Sequence, residues 1–189
     1  MGASNSKAKK KRENAKPNLQ INDDTEINSQ SRNLDKTSRD FYVQTNQTNV
    51  CIKRLKDDLN GNPFNLNNIK NSTIIVEDFC DSMTIDNCEN CKFFLSAIRG
   101  SVFARTCKNS SFLVVCGQFR CVNCEKCTFL LHSKTSPVIE SSKKIKIGCC
   151  ILGYNGLADN MTKANLDLIV NKWYDVHDFT PQKGNFELC

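Results

Sequence analysis

Three sets of residues have the types and spacing that chemistry or covalent modification would require. The chain opens with a Met-Gly run over residues 1–6, followed at once by lysines. Two Cys-x-x-Cys pairs, beginning at Cys88 and Cys124, have the spacing of zinc half-sites. The third set is a polar cluster formed by Gln118 and Arg120 within residues 117–121. Each set needs a different scaffold, so the elements around it decide its role.

The first set fits a membrane anchor. Met-Gly-Ala-Ser-Asn-Ser matches the N-myristoylation pattern, which places the acyl chain on Gly2. A single myristoyl chain binds bilayers only marginally, and nearby cations supply the second signal by attraction to anionic lipid. These cations are Lys7, Lys9, Lys10, Lys11 and Arg12, with Lys16 after them. Residues 1–16 are therefore predicted to bind an anionic membrane surface, the alternative being a basic leader or a nuclear-localisation run.

The charge distribution separates this tail from the rest of the chain. The net charge is +6, and residues 1–16 hold six basic residues and one acidic residue, which leaves the body near neutral. Because a nucleic-acid reader carries basic groups on its folded domain, no nucleic-acid partner is expected. Residues 17–40 are rich in Asn, Gln, Ser and Asp, and we expect a disordered linker. The alternative is a short helix packed on the body.

Composition excludes further classes of protein. No apolar run approaches the roughly 20 residues that a spanning helix needs. The N-terminus lacks the apolar stretch of a secretory signal. The 12 cysteines are therefore expected to be free thiols in a reducing compartment rather than a disulfide scaffold.

The body repeats itself every 17 to 19 residues from about residue 65. Mostly apolar or small residues recur in four columns, which is typical of a β-solenoid. Asparagines between them suit turns, because Asn tolerates left-handed backbone. An all-β parallel β-helix is predicted over residues 41–185. The columns are Ile69, Cys88, Cys107, Cys124 and Ser142; Ser72, Cys91, Ser110, Cys127 and Ile145; Ile74, Phe93, Phe112, Phe129 and Ile147; and Val76, Leu95, Val114, Leu131 and Cys149.

The repeat argues against zinc. In a solenoid the pairs beginning at Cys88 and Cys124 lie two turns apart, roughly 9.6 Å from the spacing of neighbouring strands. Four thiolates on one zinc ion must each lie about 2.3 Å from it. The intervening turn offers Cys107 and Ser110, a combination that a zinc pair would not need. Cysteine suits these tight corners as a small, easily buried residue, so no metal is predicted.

The polar cluster interrupts the repeat. Gly117 can turn a corner and switch the side that alternate residues face, which points Phe119 inward and both Gln118 and Arg120 outward. By the register of the repeat, Glu140 of the next turn lies in diagonal reach of Arg120. The alternative interpretation is an ordinary solvated face with a weak ion pair.

Several motifs resemble one family, the tubulin cofactor C domain, over about residues 40–185. Within this family, the motifs resemble the X-linked retinitis pigmentosa branch more closely than the other members. The resemblance implies a right-handed β-helix and a surface that activates an Arf-like small GTPase, or tubulin in other members. The motifs are Gly100-Ser101-Val102-Phe103, Gly117-Gln118-Phe119-Arg120, the run 135–142 and the run 173–181.

By this resemblance, Arg120 is the arginine finger and Gln118 its catalytic partner. Phe119, Glu140 and Gly117 would belong to the partner-binding face. The family often shows two glutamines before this arginine, whereas Gly117 takes the first place here. The second, nucleoside-diphosphate-kinase-like domain of the branch is expected to be absent from these 189 residues.

After the repeat, residues 158–173 have near-helical apolar spacing and predict a flanking helix across the coils or over an open end.

The sequence therefore predicts a GTPase activator rather than an enzyme, needing no cofactor beyond the myristate. Its expected partners are a GTP-bound Arf-like GTPase and an anionic membrane surface. We expect it on the cytoplasmic face of the plasma or ciliary membrane, at the cilium or basal body, in the transport of lipidated cargo. The alternatives are a tubulin-directed activator of the cofactor C kind and a noncatalytic GTPase-binding scaffold.

Overall fold

The computed structural model describes residues 35–189. The predicted lipidation site Gly2, the tail over residues 1–16 and residues 17–34 of the predicted linker lie outside the described residues.

Among residues 35–189, neither helix has the length and apolar character needed to cross a bilayer.

The described chain is built mostly of short strands. A single helical turn, α1 at Arg39–Tyr42, precedes them, and a second helix, α2 at Leu157–Lys163, follows the tenth strand. The strands are β1 Val43–Thr48, β2 Cys51–Arg54, β3 Phe64–Lys70, β4 Thr73–Val76, β5 Met83–Asp86, β6 Lys92–Arg105, β7 Ser111–Val122, β8 Thr128–Ser133, β9 Val138–Glu140, β10 Ile145–Cys149, β11 His177–Asp178 and β12 Phe186–Leu188.

The strands pair in parallel in two series that share the long strands β6 and β7. One series runs β2, β4, the first half of β6, the first half of β7, β8, β10 and β12. The other runs β1, β3, β5, the second halves of β6 and β7, β9 and β11. Successive strands of a series belong to successive turns, which gives about six turns. The predicted parallel β-solenoid is confirmed.

The predicted columns form the core. Phe93, Phe112 and Phe129 are fully buried and stack with ring centroids 4.3 and 4.7 Å apart. Cys149 is in the predicted register beside Leu131 but is exposed, which corrects its placement in the core. It lies at the end of β10, and β12 pairs with β10 only up to Ile147, so no further turn covers it.

Asparagines turn the corners, as the repeat predicts. Asn87, Asn90, Asn109 and Asn123 all have φ between 48° and 55°, in the left-handed region. The side chains of Asn87 and Asn90 also bond to asparagines of the preceding turn, as between Asn90 and Asn71 at 3.2 Å. Side-chain hydrogen bonds therefore join the corners of the earlier turns, in addition to the backbone ladder.

The twelve cysteines are all free thiols, and eight of them are buried. Burial raises the pKa of Cys80, Cys116 and Cys127 to about 12, because the apolar interior disfavours the thiolate. Several of these thiols donate to corner carbonyls, as Cys91 does to the Glu89 oxygen at 3.2 Å. Cysteine thus acts here as a small core residue that also satisfies backbone oxygens.

The flanking helix is much shorter than predicted. It ends at Lys163 because Asn165 adopts φ 54°, and the Leu166 amide donates to the Met161 carbonyl at 2.9 Å. This hydrogen bond and the left-handed asparagine form a Schellman-type stop. The buried side of α2 packs across the coils, against Ala97 and Val115, so the apolar residues after 166 belong to a loop.

Both ends of the solenoid carry extra structure. At the start, the buried Arg54 guanidinium lies 4.1 Å from the Phe41 ring centroid and donates to the Phe41 carbonyl. This contact ties α1 to the first turn. At the other end, β12 continues the sheet to Leu188, which lies beyond the predicted domain end at residue 185.

Candidate functional site

The site residues lie on the second half of β7, where the side-chain alternation changes. Val114 and Cys116 point inward on the first half, whereas Phe119 and Cys121 point inward on the second. Gln118 and Arg120 consequently face outward. The predicted change, at Gly117, in which alternate side chains face the core is therefore present.

Gly117 is required by a close approach of β6 and β7. A Cβ at this position would collide with the carbonyl oxygen of Arg99 and lie 3.0 Å from that of Gly100. The ladder between the two strands also shifts register between Ile98 and Ser101, directly opposite this point. A glutamine at residue 117 would force β6 and β7 apart on this backbone, which fits the glycine found here in place of the first glutamine of the family pattern.

Arg120 is held by neighbours on both adjacent turns. Its backbone pairs with Phe103 of the preceding turn and Val138 of the next. The guanidinium Nη2 lies 2.5 Å from the Glu140 carboxylate, and the guanidinium carbon lies 5.4 Å from the centroid of the Phe103 ring. Ionic and cation–π contacts together orient the side chain along the surface.

The arginine nevertheless remains available to a partner. Its side chain is 43% exposed and that of Glu140 is 35% exposed. Exposed ion pairs contribute only about 0–1 kcal/mol, so exchanging Glu140 for another anion costs little. In addition, the buried Nε of Arg120 has no hydrogen-bond partner within residues 35–189.

Gln118 lies one position before the core residue Phe119 and is exposed. Its amide oxygen accepts a hydrogen bond from the Ser101 hydroxyl at 3.1 Å. The ladder places Ser101 directly opposite Gln118 on the preceding turn. This contact orients the glutamine on the same surface as Arg120.

Two residues predicted to bind the partner do not present side chains to it. Phe119 is fully buried, and its ring packs on Phe129 with centroids 4.7 Å apart. Gly117 is buried between strands. Their contribution is corrected to a supporting one, in which Phe119 anchors the strand from inside and Gly117 permits the close packing of β6.

The structure adds residues that the sequence reasoning missed. The Phe103 ring is approached by two guanidinium groups, that of Arg120 and that of Arg105, whose guanidinium carbon lies 5.1 Å from the ring centroid. Arg105 is itself held by two bonds to Asp86, at 2.6 and 2.5 Å. Further along the same face Phe179 is 58% exposed. The sequence could have indicated Phe103, because the repeat places it one turn before Arg120 with its side chain facing outward.

The cysteine pairs do not assemble into a metal centre. Over the described range 35–189, no three Cys, His, Asp or Glu side chains are placed to hold a metal ion. Cys88 and Cys124 point into the core from turns that lie on either side of the Cys107 turn. Their spacing follows from the solenoid repeat.

Residues 61–179 match the sequence profile of the family described as "Tubulin binding cofactor C". The chain belongs to this family. The resemblance found in the motifs is thereby confirmed, and Gln118, Arg120 and Glu140 all lie inside the matched range.

Three relatives of this cofactor C domain illustrate the similarity. Protein XRP2 of Danio rerio is 38% identical over 146 residues, 77% of this chain and 39% of its own length. Protein XRP2 of Homo sapiens is 33% identical over 143 residues, 76% of this chain and 41% of its own. The Tubulin-specific chaperone C of Dictyostelium discoideum is 36% identical over 87 residues, 45% of this chain and 21% of its own. The chain thus spans about two fifths of the length of the XRP2 relatives.

Proposed function

We propose that the chain activates a small GTPase of the Arf-like class in its GTP-bound form, with Arg120 acting in trans as an arginine finger. The observation that carries the proposal is an outward guanidinium on a rigid ladder, restrained only by the exposed Glu140 carboxylate and the Phe103 ring. Its Nε lacks a partner within the described residues. These features provide a positioned cation that can change partners.

The chemistry of GTP hydrolysis suits such a group. Phosphoryl transfer spreads negative charge over the γ-phosphate oxygens, and a guanidinium supplied in trans stabilises that charge. Arginine remains protonated at all relevant pH values and can bind oxygens through several N–H groups. On docking, Arg120 would exchange the Glu140 carboxylate for the phosphate oxygens.

The scaffold supplies the positioning. β7 is hydrogen-bonded on both sides near Arg120, to β6 and to β9, so its backbone cannot shift independently. Phe119 locks the strand from inside the core. Because this positional order exists before the GTPase arrives, binding energy is not needed to create it.

Gln118 would assist from the adjacent position. Its amide is oriented by Ser101 and lies on the same face as Arg120. An amide can both donate and accept, so it can orient the attacking water or a switch-loop carbonyl of the GTPase. We assign it a catalytic role beside the arginine, with Glu140 as the group that holds and releases Arg120.

The deciding experiment is single-turnover GTP hydrolysis by Arf-like GTPases with wild-type chain and Arg120→Ala. The wild type should accelerate hydrolysis by about 10³-fold or more, and the variant should lose that gain. Arg99→Ala is a matched control, since Arg99 is exposed and pairs with Asp81 at 2.5 Å as Arg120 pairs with Glu140. Equal acceleration by wild type and Arg120→Ala, or none by either, would reject the finger.

A tubulin-directed activity is the second candidate, favoured by the match to the family described as tubulin binding and by the Tubulin-specific chaperone C relative. It uses the same surface on a different GTP-binding protein. Running the same variants with tubulin separates the two. Binding of the GTPase without faster hydrolysis would instead identify a scaffold.

We also propose that the activator works at a membrane. The predicted myristate on Gly2 and the basic run from Lys7 to Arg12 support this, since the two signals together give stable anchoring. Such an anchor would place Arg120 beside lipid-bound GTPases on the cytoplasmic face of the plasma or ciliary membrane. The release of lipidated cargo in cilia is the transport process that this location fits.

A further inference from the structure

Three consecutive aliphatic side chains project from the loop after α2. Leu168 is 66% exposed, Ile169 is 90% exposed and Val170 is 42% exposed. Single exposed aliphatic residues are common on protein surfaces, whereas a contiguous exposed group often marks a contact site. We call residues 168–170 the aliphatic loop.

The aliphatic loop is fixed at both ends. On one side the Asp167 carbonyl bonds to His132 Nε2 at 2.8 Å, and the Asp167 carboxylate accepts the Ile169 amide at 2.7 Å. On the other side the Asn171 amide oxygen accepts the Ser133 N–H at 3.0 Å. These bonds tie the loop to β8, so its apolar tip is presented by defined contacts.

Two lysines lie next to this apolar tip, Lys134 in the groove that it lines and Lys172 two residues after Val170. Lys134 and Lys172 are exposed, and neither forms an ion pair within the described part of the chain. Lys134 lines one groove together with the aliphatic loop, and its Nζ donates to the Asn165 carbonyl at 3.3 Å. The carboxylate of Asp167 is turned back onto the loop backbone. Lys134 and Lys172 thus place two cations beside the tip, against the one carboxylate of Asp167.

We propose that the aliphatic loop inserts into the interfacial layer of an anionic bilayer. Aliphatic side chains at the acyl boundary with lysines at headgroup level are the pattern of interfacial membrane binding. Protein-binding hot spots are instead enriched in Trp, Tyr and Arg, and the loop contains none of these. The contact is independent of GTPase activation and of acylation at Gly2.

The chain carries its own reporter for this contact. Trp173 is the only tryptophan, and it follows the aliphatic loop directly after Asn171 and Lys172. It is partly buried, packed against the core. Lipids brominated on their acyl chains should quench its fluorescence when the loop enters the bilayer, whereas attachment through the N-terminal tail alone should not.

The test uses the full chain made without myristate and vesicles of phosphatidylcholine with about 30% phosphatidylserine. Leu168→Asp combined with Ile169→Asp should weaken vesicle binding by about tenfold and abolish the quenching. Leu55→Asp, on a side chain 47% exposed near the first turn, is the matched control. Unfolding midpoints of all three proteins verify that each is folded.

Three outcomes would overturn the proposal. They are the absence of wild-type binding, equal binding by wild type and the double variant, and wild-type binding without tryptophan quenching. Equal binding to vesicles of phosphatidylcholine alone would reject the role of the lysines. None of these outcomes affects hydrolysis assays in solution, so failure here is distinct from failure of the proposed activation.

Discussion

Arg120 and Glu140 lie on successive turns and join through a 2.5 Å contact between Nη2 and Oε2. The two residues are not backbone partners. Glu140 pairs with Val122, which lies two residues after Arg120 on the same strand. The pair therefore crosses the ladder diagonally. This geometry lets the carboxylate hold the guanidinium in place while both groups stay open to solvent.

Replacing this carboxylate separates positioning from catalysis. Glu140→Gln should lower single-turnover activation by about tenfold, because Arg120 loses an orienting partner but keeps its charge. The unfolding midpoint should hardly change, since an exposed ion pair contributes about 0–1 kcal/mol. Asp81→Asn, which breaks the comparable pair with Arg99, should leave activation unchanged. A loss as complete as that of Arg120→Ala would contradict a purely positioning role.

The close approach at Gly117 predicts a stability effect. Gly117→Ala should lower the free energy of unfolding by about 1–3 kcal/mol, because the added methyl meets the Arg99 carbonyl oxygen. Gly153→Ala is the matched control, since a methyl group added there would have no heavy atom within 4 Å beyond its chain neighbours. Urea denaturation of both variants measures the difference. Equal stabilities would show that the two strands have room to separate here.

The buried thiols predict a pH dependence of stability. The pKa of Cys116 and Cys127 is raised by burial from 9.0 to about 12, whereas these thiols ionise at ordinary values once the chain unfolds. The folded state then binds more protons, and stability should fall as the pH rises from 9.0 towards 12. Urea denaturation at several alkaline pH values tests this. Cys116→Ser and Cys127→Ser together should flatten the slope.

Membrane attachment through the N-terminus is tested by its own variant. Gly2→Ala in cells that acylate the wild type should weaken liposome binding of the full chain at least tenfold, because the acyl chain is lost. About 0.5 M salt should weaken the wild-type binding, since it screens the lysines from anionic lipid. Co-sedimentation with vesicles measures both effects. Binding that resists both changes would exclude the acylated basic tail as the anchor.

Much of the fold follows from the repeat alone. Stacked turns place equivalent residues beside each other, so the Phe93, Phe112 and Phe129 column predicts both the core and the register. The register of the repeat also predicts that Arg120 lies beside Val138 of the next turn. Periodicity is informative here because each residue's neighbours lie one repeat away.

The remaining features depend on interactions that break the repeat. The end of α2 is set by the left-handed backbone of Asn165, which apolar spacing does not reveal. The exposure of Cys149 arises because pairing with β12 stops short of it. The resemblance grouped Phe119 with the binding face although its alternation already placed it inside. Motif membership and side-chain direction are separate properties.

The reversal of alternation at Gly117 restricts how the length of β7 can vary. An insertion or deletion of one residue between the glycine and Arg120 would rotate the guanidinium into the apolar interior and expel a phenylalanine in its place. Variation along this stretch must therefore proceed by exchange of side chains at constant length. Changes in chain length are confined to the corners and to the loops that leave the winding.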